Sequence, residues 1–339
     1  MGRNGFGGFA AALVSALLAG FVAGAAAQPS SVEAQSRALE RASAATLGVR
    51  VQAVEDARSA RTLGRQRAGS GVVIAPEGLV LTIGYLVLEA DEVELVTDDG
   101  REIPARVVGY DVATGFGLVQ ALTPIRRAVA PLGVSASVRR EDPLIIMSGG
   151  TDGTASAARL VSRRDFSGYW EYHVDGALFT SPPRSDHSGA ALFNLDGELL
   201  GIGSLVLSDA TEGERVPGNM FVPIDLLKPI LGELRANGSS RASMRAWIGI
   251  NCVDTGGQIR IVRVNDDSPA DVAGLKVGDR IVRIDGVAVG QLGQLWKTLW
   301  SGAPPEREVR LDIVRDGTPQ TLSVQTVDRA KTLKRPQGV

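Results

Sequence analysis

The sequence predicts a mostly β protein of two domains, on four observations. The 339 residues suit two domains at roughly 100–200 residues each. Residues 48–232 break into short β-forming runs separated by turn signals, the pattern of an all-β sandwich or barrel. Residues 245–328 instead alternate strand-like runs with two helical stretches. Abundant glycine and scarce aromatics, 41 residues and 5%, favour turn-rich β structure over helical bundles.

Residues 1–27 carry one charge, Arg3, then the apolar run FAAALVSALLAGFVAGAAA. Small residues at Ala25 and Ala27 complete the pattern of a secretory signal peptide cleaved after Ala27. The mature protein is then periplasmic or secreted. Removing Arg3 leaves 35 basic against 38 acidic residues, a formal charge of −3. The alternative is an uncleaved N-terminal anchor, because the stretch is nearly long enough to span a bilayer. Only that form would contact a membrane. Residues 28–47 are polar and Ala-rich and read as an N-terminal arm, exposed or forming a short helix.

The strand-like runs of the first domain include GSGVVIA, GLVLTIGYLV, IPARVVGYD, LIIMSG, YWEYHV, ALFNLDGELLGIGSLVL and NMFVPI. Pro76-Glu77-Gly78, Asp98-Asp99-Gly100 and Leu195-Asp196-Gly197 supply turns between them. Asp225–Arg235 reads as a helix with Leu226, Leu227, Ile230, Leu231 and Leu234 on one face. Asn237-Gly238-Ser239-Ser240 then reads as a flexible break. The boundaries expected are a first domain over 48–236, a linker over 237–244, a second domain over 245–328 and a tail over 329–339. The second domain carries helix signals at SPADVAGL and around QLGQLWKTLW.

A net charge of −2 gives no support to a nucleic-acid partner, which usually calls for a basic excess. A lone cysteine, Cys252, excludes an intramolecular disulfide and a cysteine-based zinc site. His173 and His187 are the only histidines, which limits acid–base proposals. There is no glycine motif for cradling phosphate, and neither cofactor nor metal is expected.

Read together, GSGVVIAPEGLVLT, SDHSGAALFNLDGELLGI and NMFVPIDLLKPIL resemble the HtrA (DegP-type) branch of trypsin-fold serine proteases. WIGI, VNDDSPADVAGLKVGDRIVRIDGVAV and VRLDIVRDG resemble the PDZ domain that follows in that family. The resemblance covers about residues 45–328. It implies a trypsin-like pair of six-stranded β-barrels, then a PDZ domain, a β sandwich with two helices. It also implies a serine endopeptidase frame.

That chemistry needs a serine nucleophile, a histidine to take its proton, an aspartate to hold the histidine, and backbone donors for the oxyanion. Ser188 stands at the family's nucleophile position. The family histidine position is Tyr85, a phenol ionised to about 0.1% at pH 7 at an ordinary pKa. The family aspartate position is Gly115, which has no side chain, and Asp111 four residues earlier is a weak substitute. The glycine two residues before the nucleophile is replaced by Asp186, whose charge is expected to disfavour an oxyanion. His187 is too close in sequence to Ser188 to serve it, and reads as a loop histidine; His173 reads as a strand residue without a catalytic role.

The peptide groove is better preserved. PDZ domains add an extended chain to a sheet edge and hold a terminal carboxylate on loop N–H groups. Trp247-Ile248-Gly249-Ile250 stands at that loop, and Leu292, Leu295 and Leu299 lie on the opposing helix, some facing the groove and some in the core. The expected partners are C-terminal or extended peptides of other proteins. Residues 28–84 contain no aromatic residue, whereas aromatics pin the family trimer there, which puts a trimer in doubt. Two functions follow: a non-catalytic peptide or unfolded-protein binder in envelope quality control, favoured by the combined loss of base, orienter and glycine, and an active endopeptidase using Ser188 in an unorthodox site.

Overall fold

The computed structural model of the chain describes residues 29–302 and 304–334. The signal segment, with its cleavage point and anchor alternative, lies outside the described residues. No described helix is long and apolar enough to cross a membrane.

The first barrel is built from β1 (Thr46–Ala53), β2 (Gln66–Ala75), β3 (Leu79–Ile83), β4 (Ala90–Val96), β5 (Glu102–Tyr110) and β6 (Phe116–Ala121). They close in the order β1-β2-β3-β6-β5-β4. The second uses β7 (Pro143–Met147), β8 (Ala155–Ser167), β9 (His173–Ser181), β10 (Ala191–Phe193), β11 (Leu199–Leu207) and β12 (Gly218–Pro223), in the order β10-β11-β12-β9-β8-β7. Closure pairs every edge and leaves no strand open to aggregation. The two-residue side-chain period appears in β7, where Leu144 and Ile146 enter one buried cluster and Ile145 and Met147 the other.

The arm over 28–47 is mostly a helix, α1 (Pro29–Ala45). Leu39, Ala42 and Ala45 recur at helical spacing and are buried, while Glu33, Arg37, Glu40 and Arg41 face solvent. Two single turns follow, α2 (Ala60–Leu63) and α3 (Gly84–Val87). The helix expected over Asp225–Arg235 is instead a 3-10 turn at Ile224–Leu226 and a separate helix α4 (Leu231–Asn237). Pro229 lies between them; without an N–H it cannot continue a helical ladder. Gly238, in the left-handed region, caps α4 through its N–H to Leu234 O.

The break expected at 237–240 is pinned. Ser240 and Ser243 are buried, and both hydroxyls donate to the Asp111 carboxylate. Beyond it the PDZ-like unit has its own core, with Ile248, Ile261, Leu295, Trp296 and Leu311 fully buried. Its strands are β13 (Ala246–Trp247), β14 (Ile250–Thr255), β15 (Gln258–Val264), β16 (Arg280–Ile284), β17 (Val287–Ala288), β18 (Glu308–Arg315), β19 (Thr318–Gln325) and β20 (Val327–Asp328). The main sheet runs β14-β15-β16-β18-β19, so β14 is an end strand. The expected helices form as α5 (Pro269–Val272), capped by the Ser268 hydroxyl, and α6 (Leu292–Ser301). The fold class read from sequence, mostly β with two six-stranded barrels and a PDZ domain, is borne out.

Candidate functional site

Ser188 sits in the loop that enters β10. Its carbonyl accepts the Ser70 N–H of β2 at 2.8 Å, and Gly189 N–H donates to Gly203 O of β11 at 2.9 Å. The loop is therefore tied to both barrels, and the serine faces the seam between them.

Tyr85 projects from α3 onto this serine. Its hydroxyl oxygen lies 2.9 Å from Ser188 Oγ and 3.0 Å from the Ser204 carbonyl. The carbonyl can only accept, so a phenol proton given to it leaves the Tyr85 oxygen to accept from Ser188. Burial pushes the phenol up to about 12. At about 1.36 kcal/mol per pH unit, forming the phenolate at pH 7 costs about 7 kcal/mol. The described partner of the Ser188 hydroxyl is therefore a phenol that is protonated at neutral pH.

Gly115 is beside this pair, its carbonyl accepting Gly84 N–H at 2.6 Å. It holds φ +82, and a Cβ there would lie 2.9 Å from the Tyr172 hydroxyl. That hydroxyl donates to Thr114 O at 2.7 Å, so a tyrosine from the second barrel fills the space a side chain at 115 would need. Asp111 cannot substitute. It is fully buried, with one oxygen accepting from the Ser240 and Ser243 hydroxyls and the other from Thr114 N and Oγ1 at 2.8 and 2.7 Å.

For Asp186 the structure adds a partner that the sequence reading did not include. Its carboxylate is paired with the Arg184 guanidinium and accepts the Ser148 hydroxyl at 2.6 Å. Arg184 holds the carboxyl down to about 2. The charge is neutralised by a guanidinium that also donates to Ile146 O, Ser156 Oγ and Thr154 Oγ1. Asp186 therefore serves as one side of an ion pair that shapes the loop. His187 Nδ1 lies 3.0 Å from Ser185 O.

In the PDZ-like unit the loop N–H groups are already engaged. Ile248, Gly249 and Ile250 donate to the Glu171 carboxylate at 3.1, 2.6 and 3.1 Å. Gly249 takes φ +88, and a Cβ there would collide with Ser268. Trp247 pairs with Val327 across β13–β20 beneath the Arg329 guanidinium; it is part of the domain's own packing. Leu295 and Leu299 are fully buried and Leu292 nearly so. They form core under the groove rather than an open lining.

His173 is buried beneath α6, with Ser167 Oγ 2.8 Å from Nδ1 and Asp175 Oδ1 3.1 Å from Nε2. Asp165, His173 and Asp175 could together offer metal ligands, but Lys297 Nζ already lies 3.2 and 2.9 Å from the two carboxylates. An ammonium in that position disfavours a divalent cation and ties α6 to the second barrel. Sequence reasoning missed Glu171, Arg184 and Tyr172. Arg184, two residues from Asp186, offers a local signal; Glu171 and Tyr172 lie in the aromatic stretch GYWEYH, but their partners are far away in sequence.

Two joined barrels with a serine at their seam, followed by a PDZ-like unit, define a trypsin-type peptidase frame with an appended PDZ-like module. Residues 69–202 match the trypsin-like peptidase domain family and residues 246–326 the PDZ domain family. The chain thus carries one match to each of these domain families and is similar in sequence to DegP-like proteins. A probable periplasmic serine endoprotease, DegP-like, from Rickettsia conorii is 26% identical over 282 residues, covering 78% of this chain and 55% of the relative. Its counterpart from Halomonas elongata is 27% identical over 293 residues, covering 81% and 59%. The chain spans somewhat over half the length of these relatives. Among solved structures, the HtrA-type protease AlgW with a decapeptide aligns with TM-score 0.55 at 20% identity, covering 87% of this chain and 98% of that one. The serine endoprotease from Yersinia pestis aligns at 0.54 and 21%, covering 87% and 97%.

Proposed function

We propose that this chain is a non-catalytic binder of peptides or unfolded polypeptides in the bacterial envelope, built on a serine endopeptidase frame. The observation that carries the reading is the Tyr85 hydroxyl 2.9 Å from Ser188 Oγ, where the chemistry requires a proton acceptor. A phenol pushed up to about 12 does not supply one at neutral pH. Gly115 offers no side chain to orient a base, and the carboxylate of Asp111 is wholly engaged elsewhere. An endopeptidase using Ser188 in an unorthodox site would need that phenolate.

The binding half of the reading rests on the PDZ domain, whose family recognises peptides by strand addition and carboxylate capture. The envelope location rests on the signal-like residues 1–27 and on the periplasmic relatives. The absence of aromatics from residues 28–84 argues against the family trimer. Labelling with a fluorophosphonate probe tests the reading, with Ser188→Ala as control. The wild type should label no more than the variant. Labelling that disappears in Ser188→Ala would restore the peptidase.

A further inference from the structure

The turn between β8 and β9 leaves the second barrel and enters the PDZ-like unit. Trp170 forms an antiparallel bridge with Asn251 of β14, and Cys252 N–H donates to Tyr169 O at 2.6 Å. Residues 169–171 thus lie along the free edge of an end strand, running opposite to it and toward the Ile248–Ile250 loop. Glu171 arrives there last, and three consecutive N–H groups converge on its carboxylate. Strand direction, edge and carboxylate position are those a bound peptide C-terminus would take. Here the chain continues into Tyr172, and a side-chain carboxylate occupies the acceptor position.

The turn is held on its other side by α6. Trp296 Nε1 donates to Gly168 O at 3.1 Å, and Lys297 bridges Asp165 and Asp175. Ile248, Ile250 and Leu295 are already fully buried. An incoming side chain therefore finds no vacant pocket while the turn is in place.

We infer that Tyr169–Glu171 is a built-in ligand of the PDZ groove, so that the C-terminal carboxylate of another polypeptide gains entry only by displacing Glu171. This rests on the peptide-binding reading for its ligand class. The closure itself rests only on the geometry.

The test uses the full chain and two readouts. The first is amide hydrogen exchange at residues 248–252, without peptide, in wild type, Glu171→Ala and the near-isosteric Glu171→Gln. At pH 8, where the Glu171 carboxyl is ionised, loss of a charged acceptor shared by three N–H groups should speed exchange by about tenfold or more. Gln keeps the side-chain shape, so it reports the lost charge even if Ala perturbs folding. Unchanged exchange in Glu171→Gln would overturn the inference. The second readout titrates a fluorescein-labelled decapeptide ending in leucine, as free acid and as C-terminal amide. The free acid should bind the variants about tenfold more tightly than wild type, and the amide should bind all three weakly. Equal free-acid affinity for wild type and variants would overturn displacement. Faster exchange with no binding by any form would uphold the closure and reject the peptide-binding reading.

Discussion

The Tyr85 hydroxyl and Ser188 Oγ lie 2.9 Å apart, close enough for proton transfer and with no driving force for it. In a working serine hydrolase the partner at this distance is an imidazole that can accept a proton near neutral pH. Here the partner is a buried phenol that must itself be ionised first. The serine keeps its place because backbone bonds to Ser70 and Gly203 hold its loop, independently of any catalytic role.

Removing the phenol oxygen should cost stability but not activity. Tyr85→Phe leaves the Ser204 carbonyl and the Ser188 hydroxyl without a partner. A destabilisation of about 1 kcal/mol is expected, measured by urea unfolding. Labelling of Ser188 by a fluorophosphonate should stay at background. A loss of labelling from a measurable wild-type level would assign Tyr85 a role in activation.

Restoring the missing side chains should not restore the site. Gly115→Asp puts a side chain on a left-handed residue against the Tyr172 hydroxyl, at a cost of about 1–3 kcal/mol. Tyr85→His combined with Gly115→Asp should therefore remain inactive on unfolded casein and melt below the wild type. Adding Tyr172→Phe should recover part of the stability. Full stability of Gly115→Asp alone would show that the site accommodates an aspartate freely.

Acid should weaken the serine loop through Asp186. Its carboxyl is held down to about 2 by Arg184, below the ordinary value of about 3.9. The contribution is present above pH 4 and is lost as pH falls toward 2. The pair is partly exposed, so screening keeps the effect modest. Asp186→Asn should be less stable than wild type at pH 6, with the difference shrinking by pH 2.5. A constant difference across that range would detach stability from this ion pair.

Closure of the PDZ groove should loosen as pH rises. Burial pushes the Glu171 carboxyl up to about 7, opposed by the Arg329 charge and the three loop N–H groups. The neighbouring Cys252 thiol is itself raised by burial and by Glu171, and stays protonated. An undocked glutamate titrates near about 4.3, so docking takes up a proton and is favoured as pH falls through 7. Exchange protection at Cys252 N–H, corrected for intrinsic rates, should fall between pH 6 and pH 8. Protection independent of pH, or rising with it, would contradict this.

Much of the fold was legible because it rests on local patterns. Short β runs between turns marked the strands of the barrels, and the SPADVAGL stretch and the 292–299 spacing marked the PDZ helices. The expectation for residues 225–235 failed because the apolar spacing of a helix outweighed Pro229. Ser240 read as linker because nothing local announces Asp111, some 130 residues earlier. The site divides in the same way. Tyr85, Gly115 and Ser188 were found by position along the chain. The engagement of Ile248–Ile250 by Glu171 depends on a turn 77 to 79 residues away. Its only trace in sequence is the cluster of aromatics around it in GYWEYH, unusual for a turn that would otherwise face water.

The central claim, that Ser188 lacks a base, is tested most directly by incubating the protein with unfolded casein beside Ser188→Ala. The account predicts that cleavage by the two proteins is the same, at the level of buffer alone. Cleavage by the wild type that disappears in Ser188→Ala would contradict it.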